Sequence, residues 1–219
     1  MDEILAGNLI DICAVAMLLL SLLAMAVIRT GQLVNAFAIQ SAVLAVLAVV
    51  VGVSTGRFGI FILAGITFAV KVIIIPWFLR YTSDRINIGP EVDSAIGMPS
   101  SLLISSALIV VSYLVTAPLS GSINTITVNC LAISLSIVLI GLFMMVTRKK
   151  AITAAIGLLM MENGLFLGVL SISYGMPLLI EIGIFFDIMM VAVIIGIFAF
   201  RIRRTFDTLD VSSLRRLKD

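Results

Sequence analysis

Three acids and one lysine lie inside stretches of sequence that are otherwise almost wholly apolar. Glu162 falls near the middle of AITAAIGLLMMENGLFLGVLSI (151–172). Glu181 and Asp187 fall near the start and centre of PLLIEIGIFFDIMMVAVIIGIFAF (177–200), and Lys71 sits in FAVKVIIIPWFL. At about 1.5 Å per residue each run is long enough to cross a bilayer as a helix. A charge at mid-depth costs roughly 2.5–3.5 kcal/mol even on the lenient insertion scale, and leucine would pack there without that cost. The chemistry open to such groups is the exchange of protons or small cations.

Each residue has a functional and a structural reading. Burial raises a carboxylate's pKa and a neighbouring cation lowers it, so Glu162 and Asp187 on consecutive helices could exchange protons near neutral pH across one seam. Glu181 is about 9 Å outward of Asp187 and roughly 120° round the helix, so it could lead to the outer face or serve another partner. Lys71 could be a switchable cation or half of a structural ion pair. Pro76, five residues on, removes a backbone donor and predicts a polar break in the helix near the lysine. Asn163 and Gln40 could join a water-filled path or bond between helices. The structural alternative for all the acids is polar glue between helices. Asp11, near a helix end, reaches water and receives no chemistry. Gly164 and Gly168 form a small-xxx-small pair that predicts close helix packing.

The elements that position these groups follow from composition. The chain is 62% hydrophobic and 12% charged, with a mean hydropathy of +1.28, far from the balance of a soluble domain. It is an all-α integral membrane protein. It has no histidine, and its two cysteines, Cys13 and Cys130, fall in different apolar runs. No metal or iron–sulfur ligand set and no disulfide framework is expected. No phosphate loop, nucleophile elbow or nucleic-acid motif is present. The first apolar run follows an acidic leader and is about 20 residues long, so it reads as a retained helix rather than a signal peptide.

Seven runs are expected to span: 9–28, 33–53, 58–79, 100–118, 126–147, 151–172 and 177–200. The fourth, serine-rich and ending near Pro118, is the weakest. Arg29, Arg80, Arg85, Arg148, Lys149, Lys150 and the six basic residues of the tail all fall on alternate loops, with Arg57 alone opposite. That bias predicts an external N-terminus and a cytoplasmic C-terminus. The chain divides into a three-helix unit (1–99), a linking helix and loop (100–125), a second three-helix unit (126–200) and a basic tail (201–219). VIRTGQ and VTRKKA, each opening a run that leads to a buried charge, suggest a weak parallel repeat. The tail could bind anionic headgroups or dock on a peripheral subunit.

The apolar helix, the turn Arg148-Lys149-Lys150 and the following Ile156-Gly157-Leu158, Met161 and Asn163 resemble the K-type small membrane subunit of respiratory complex I. They also resemble the C subunit of multisubunit cation/proton antiporters. That resemblance implies two glutamates on adjacent helices carrying protons; the second falls close to Asp187. The first falls on Leu159, with Glu162 three residues further on. Over nearly its whole length the chain is more similar to hydrogenase-4 membrane component E. The shared features are Lys71-Val72 with Pro76, Met161-Glu162-Asn163-Gly164, Glu181-Ile182-Gly183-Ile184, Asp187, and Thr208-Leu209-Asp210-Val211. The implication is a subunit of a complex I-like hydrogenase in a prokaryotic plasma membrane, as in formate hydrogenlyase-type assemblies. Such a subunit is not catalytic alone and binds no cofactor itself. Its partners would be other membrane-arm subunits, antiporter-like ones among them, and peripheral subunits holding a nickel–iron centre and iron–sulfur clusters. Glu162 and Asp187 would carry H⁺ or Na⁺, with Glu181 and Lys71 accessory. The alternatives are a structural or assembly subunit that anchors the redox arm without carrying ions, a membrane subunit of a related antiporter-type or oxidoreductase complex, or an independent transporter.

Overall fold

A computed structural model describes residues 3–56, 58–85, 92–118 and 125–173. The seventh expected span, with Glu181 and Asp187, and the tail lie outside the described residues. The elements are α1 (Glu3–Ala26), α2 (Thr30–Thr55), α3 (Phe58–Thr67), a π-helical segment (Phe68–Ile74), α4 (Ile75–Arg85), α5 (Met98–Thr116), α6 (Thr125–Thr147) and α7 (Ala151–Ser173). Because α3, the π segment and α4 run on without a break, the described residues hold six helices long and apolar enough to cross a membrane. Among the described residues there is no strand, and Ser94 and Arg148 form an antiparallel bridge. The six runs expected over this part of the sequence are all helical. The third extends through Arg80 to Arg85, so the connection after it is shorter than the sequence suggested.

The π segment has a cause in the residue pattern. Leu63, Thr67, Lys71, Ile75 and Leu79 are all buried, each four residues from the last. In an α-helix at 100° per residue, four such steps drift by about 160° and would turn the last residue to the opposite face. The wider turns of i→i+5 bonding keep the stripe on one side; the N–H of Ile75 bonds the carbonyl of Val70, five residues back. Pro76 then stands at the second position of α4, inside the continuous helix and directly after the change of register. The polar break expected near Lys71 is thus a change of helical register centred on it.

α5 is built the other way out from a soluble helix. Its buried stripe is Ser101, Ser105, Ser112 and Thr116, while Leu103, Val110, Leu114 and Val115 are exposed. The hydroxyls of Ser105, Ser112 and Thr116 donate to carbonyls four residues back in their own helix. Small side chains thereby face the bundle and apolar bulk faces outward, so the serine-rich run is still long and apolar enough to cross a membrane.

The tightest packing is between α6 and α7. A Cβ on Gly141 would lie 2.7 Å from the Met161 nitrogen and 2.8 Å from the Gly157 oxygen; one on Gly164 would lie 2.9 Å from Ile137 Cγ2. At Gly168 the obstruction is Ser134 Oγ, 2.8 Å away. Gly157, Gly164 and Gly168 lie within about 40° of one another on α7, which places Glu162 and Asn163 more than about 100° off that face on either side. The glycine face therefore aims both polar residues away from α6, towards α2 and the π segment. At the opposite end of α6, the buried Arg148 Nη2 donates to the carbonyls of Ala24 (3.4 Å) and Met25 (3.0 Å), capping the last turn of α1. Burial lowers its pKa from the usual arginine value. Backbone bonds from Val92 to Ile28, Ala95 to Thr147 and Lys149 to Asp93 tie the connection before α5 to the same end.

Gly141→Ala must push on backbone atoms that have no free rotation. It should cost about 1–3 kcal/mol of stability, as overpacking does. Gly65→Ala, with nothing within 4 Å of the added carbon, should cost far less. Thermal unfolding of the two purified variants checks the order, and equal loss would contradict the packing described.

Candidate functional site

Two apolar clusters divide the bundle. One holds Met25, Leu33, Phe37, Ile75, Leu79, Ile140, Met144, Ile156 and Leu159. The other holds Met17, Leu44, Leu47, Ile60, Leu63, Ile133, Ile137, Phe166 and Leu167. In sequence every helix of the core passes from one cluster to the other, and the polar residues fall at the crossing points. Ser21 lies between Met17 and Met25, Gln40 and Ser41 between Phe37 and Leu44, Lys71 between Leu63 and Ile75, and Glu162 and Asn163 between Leu159 and Phe166. All six are buried. The result is a thin polar layer at mid-membrane with apolar packing on both sides.

Lys71 Nζ lies 3.3 Å from Glu162 Oε1, with the two side chains 1% and 4% exposed. The same ammonium donates to Asn163 Oδ1 at 3.2 Å and stands 5.9 Å from the centre of the Phe166 ring, close enough for a cation–π contact. Asn163 Nδ2 in turn donates to Ser41 Oγ at 2.9 Å and Gln40 Oε1 at 3.3 Å. Gln40 Nε2 donates to Ser21 Oγ at 2.7 Å and the Met17 carbonyl at 3.3 Å. The chain closes with Ser21 Oγ donating to the same carbonyl at 3.0 Å. Every donor in this series points from the π segment through α7 and α2 to α1. The hydroxyl of Thr67, one turn before Lys71, is buried with no hydrogen-bond partner among the described residues.

Four residues singled out in the sequence, Gln40, Lys71, Glu162 and Asn163, therefore meet in one contact network. Gln40 and Asn163 are bonded between helices here. Glu181 and Asp187 lie outside the described residues, so whether Asp187 shares this seam is not among the observations. Asp11 accepts a long hydrogen bond (3.6 Å) from Cys130 Sγ across the α1–α6 contact. Ser21 and Ser41 were missed; a serine in an apolar helix commonly bonds its own backbone and carries no signal of a distant partner.

Chemically, the ionisable members of the network are Lys71 and Glu162. The amides are fixed donors and acceptors that orient the ammonium but do not themselves gain or lose protons near neutral pH. Gln40→Leu and Asn163→Leu should each cost about 1–3 kcal/mol, because each leaves a buried partner unsatisfied. The double variant should cost less than the sum, since the two residues share a bond. Strict additivity in unfolding of the purified variants would contradict the network.

Residues 129–219 match the family NADH-ubiquinone/plastoquinone oxidoreductase chain 4L, a stretch that includes Glu162, Asn163 and Asp187 but not Lys71. A Mycobacterium tuberculosis protein described as uncharacterized is 29% identical over 212 residues, 96% of each chain. Hydrogenase-4 component E of Escherichia coli is 28% identical over 151 residues, 69% of this chain and 70% of that one, and its Shigella flexneri counterpart matches equally. No solved structure matches. The chain is thus similar to hydrogenase-4 component E over 69% of its length, and its C-terminal part to chain 4L of the NADH-ubiquinone/plastoquinone oxidoreductase.

Proposed function

We propose that the chain is a membrane subunit of a complex I-like respiratory hydrogenase complex in a prokaryotic plasma membrane. It spans seven times, with the basic end of the bundle in the cytoplasm and the N-terminus outside. Electron transfer takes place in partner subunits that hold the nickel–iron centre and iron–sulfur clusters. This chain contributes the Lys71–Glu162 pair, with Asp187 and Glu181, to the translocation of H⁺ or Na⁺. The observation that carries the reading is the ion pair itself, held at mid-depth in a layer sealed above and below by apolar packing. A cation reaching Glu162 competes with the lysine for the carboxylate. A charge arriving from a neighbouring acid therefore alters the pair, and the pair's state alters the neighbour in return. Asn163 and Gln40 hold the ammonium in place during that exchange.

A structural reading rests on the same pair. Lys71 and Glu162 join the π segment to α7, and a buried pair that is kept intact needs no ion traffic to explain its geometry. Removing one partner alone is a poor test, because an uncompensated buried charge costs about 3–5 kcal/mol and can block assembly. The double variant Lys71→Met/Glu162→Gln removes both charges and should assemble better than Lys71→Met alone. In sealed vesicles carrying the intact complex, translocation predicts that the double variant keeps redox turnover but loses ion uptake. Turnover and uptake both at wild-type levels would overturn the transfer role and leave the structural one.

A further inference from the structure

Threonine hydroxyls in these helices commonly bond their own backbone. Thr82, Thr116 and Thr147 each donate to the carbonyl four residues back, at 2.8, 2.9 and 2.8 Å, the usual arrangement for a hydroxyl in an apolar helix. Thr67 departs from it. The residue is 1% exposed, and its hydroxyl has no hydrogen-bond partner among the described residues. Buried polar groups in folded proteins are nearly always bonded, to protein or to ordered water.

The position of Thr67 ties it to the ion pair. A Cβ added at Gly52 would lie 3.5 Å from Ile60 Cβ, which sets the register of α2 against α3. The same number of residues further along the two antiparallel helices, Ala45 stands opposite Thr67, so a small side chain faces it. Lys71 follows one turn later on the same buried stripe. A helical side chain leans towards the N-terminal end of its helix, which carries the ammonium back towards Thr67. Its contact with Phe166, one turn outward of Glu162 on α7, agrees. The hydroxyl therefore stands at the depth of the Lys71–Glu162 contact and bonds neither residue.

The chemistry of the layer selects what lies between them. Its neutral oxygens already face N–H hydrogens. Asn163 Oδ1 accepts from Lys71, Gln40 Oε1 and Ser41 Oγ accept from Asn163, and Ser21 Oγ accepts from Gln40. A hard metal cation takes about six or more oxygen ligands. It would find the carboxylate and the Thr67 hydroxyl, beside a fixed ammonium. Water needs only about two to four polar partners, and it accepts from one while donating to another.

We infer that Thr67 holds a water molecule against the carboxylate of Glu162, and that protons reach the ion pair through this water. The water accepts the threonine hydrogen and donates one of its own to Glu162, so Thr67 is a positioning residue. When a proton arrives on the water, one of its O–H bonds breaks as a new one forms on a Glu162 oxygen. The water is left neutral, and Lys71 keeps its three hydrogens. The second half of the inference rests on the translocation role proposed above; the first does not.

The intact complex, imaged by electron cryo-microscopy at a resolution that shows waters, should carry density within about 3 Å of Thr67 Oγ1 and of a Glu162 oxygen. In sealed vesicles, Thr67→Val keeps the shape and removes the hydroxyl. It should lower the protons taken up per electron turned over about tenfold or more. Thr67→Ser restores the hydroxyl and should bring that ratio back to within about twofold of wild type. Density at metal–oxygen distances, a Thr67 hydroxyl bonded to its own backbone or to a neighbouring subunit, or a wild-type ratio in Thr67→Val would each overturn the inference. A wild-type complex that turns over without taking up any ion would sink the translocation role and the proton half with it, while the density still decides the water half.

Discussion

The structure depends on one constraint: an ammonium and a carboxylate in the middle of a membrane must be paired and solvated by protein. Leaving either charge alone there costs several kilocalories per mole. The Lys71–Glu162 contact at 3.3 Å answers the charge, and the Asn163–Gln40–Ser21 series answers the remaining polarity. Other features serve that layer. The π segment keeps Lys71 on the stripe that faces the bundle, and the glycine face of α7 turns Glu162 and Asn163 towards it. Arg148 locks the end of α1 against α6 and so sets the registration of the helix that carries Ser21.

Much of this was legible in the sequence because membrane helices announce themselves by length. All six apolar runs over the described residues became helices, including the serine-rich fourth. Gln40, Lys71, Glu162 and Asn163 stood out because a polar residue amid apolar ones has to find a partner. What the sequence could not supply was helix rotation. Glu162 and Asn163 are adjacent, and nothing in their neighbours says which of them faces Lys71. That is decided by Gly141 and Gly157 as much as by Gly164 and Gly168, and the first two form no familiar spacing. The register change was half legible: Pro76 pointed to a break, but the four-residue buried period that requires it is visible only once burial is known.

Arg148 illustrates a different limit. As one of three consecutive basic residues in a short turn it read as a marker of topology, which treats all three alike. In the structure only Arg148 turns inward to cap α1, whereas Lys150 pairs with Asp93 near the surface. Basic residues near a membrane face thus do two jobs, and the count used to orient a chain cannot separate them.

The apolar layers on both sides of the pair bear on how such a site could work. Within the described residues, Leu63 and Phe166 close one side of the layer and Ile75 and Leu159 the other. An ion moving straight along the membrane normal would leave the polar layer at once and meet hydrocarbon. The amides cannot take up its proton, and the series of donors from Lys71 to the Met17 carbonyl ends at a backbone acceptor. Exchange at Glu162 therefore requires either a polar approach from beside the layer or a rearrangement that wets one of its walls. The Thr67 hydroxyl, one helical turn from Lys71 and without a partner among the described residues, marks the wall where a water would gain a bond on entering.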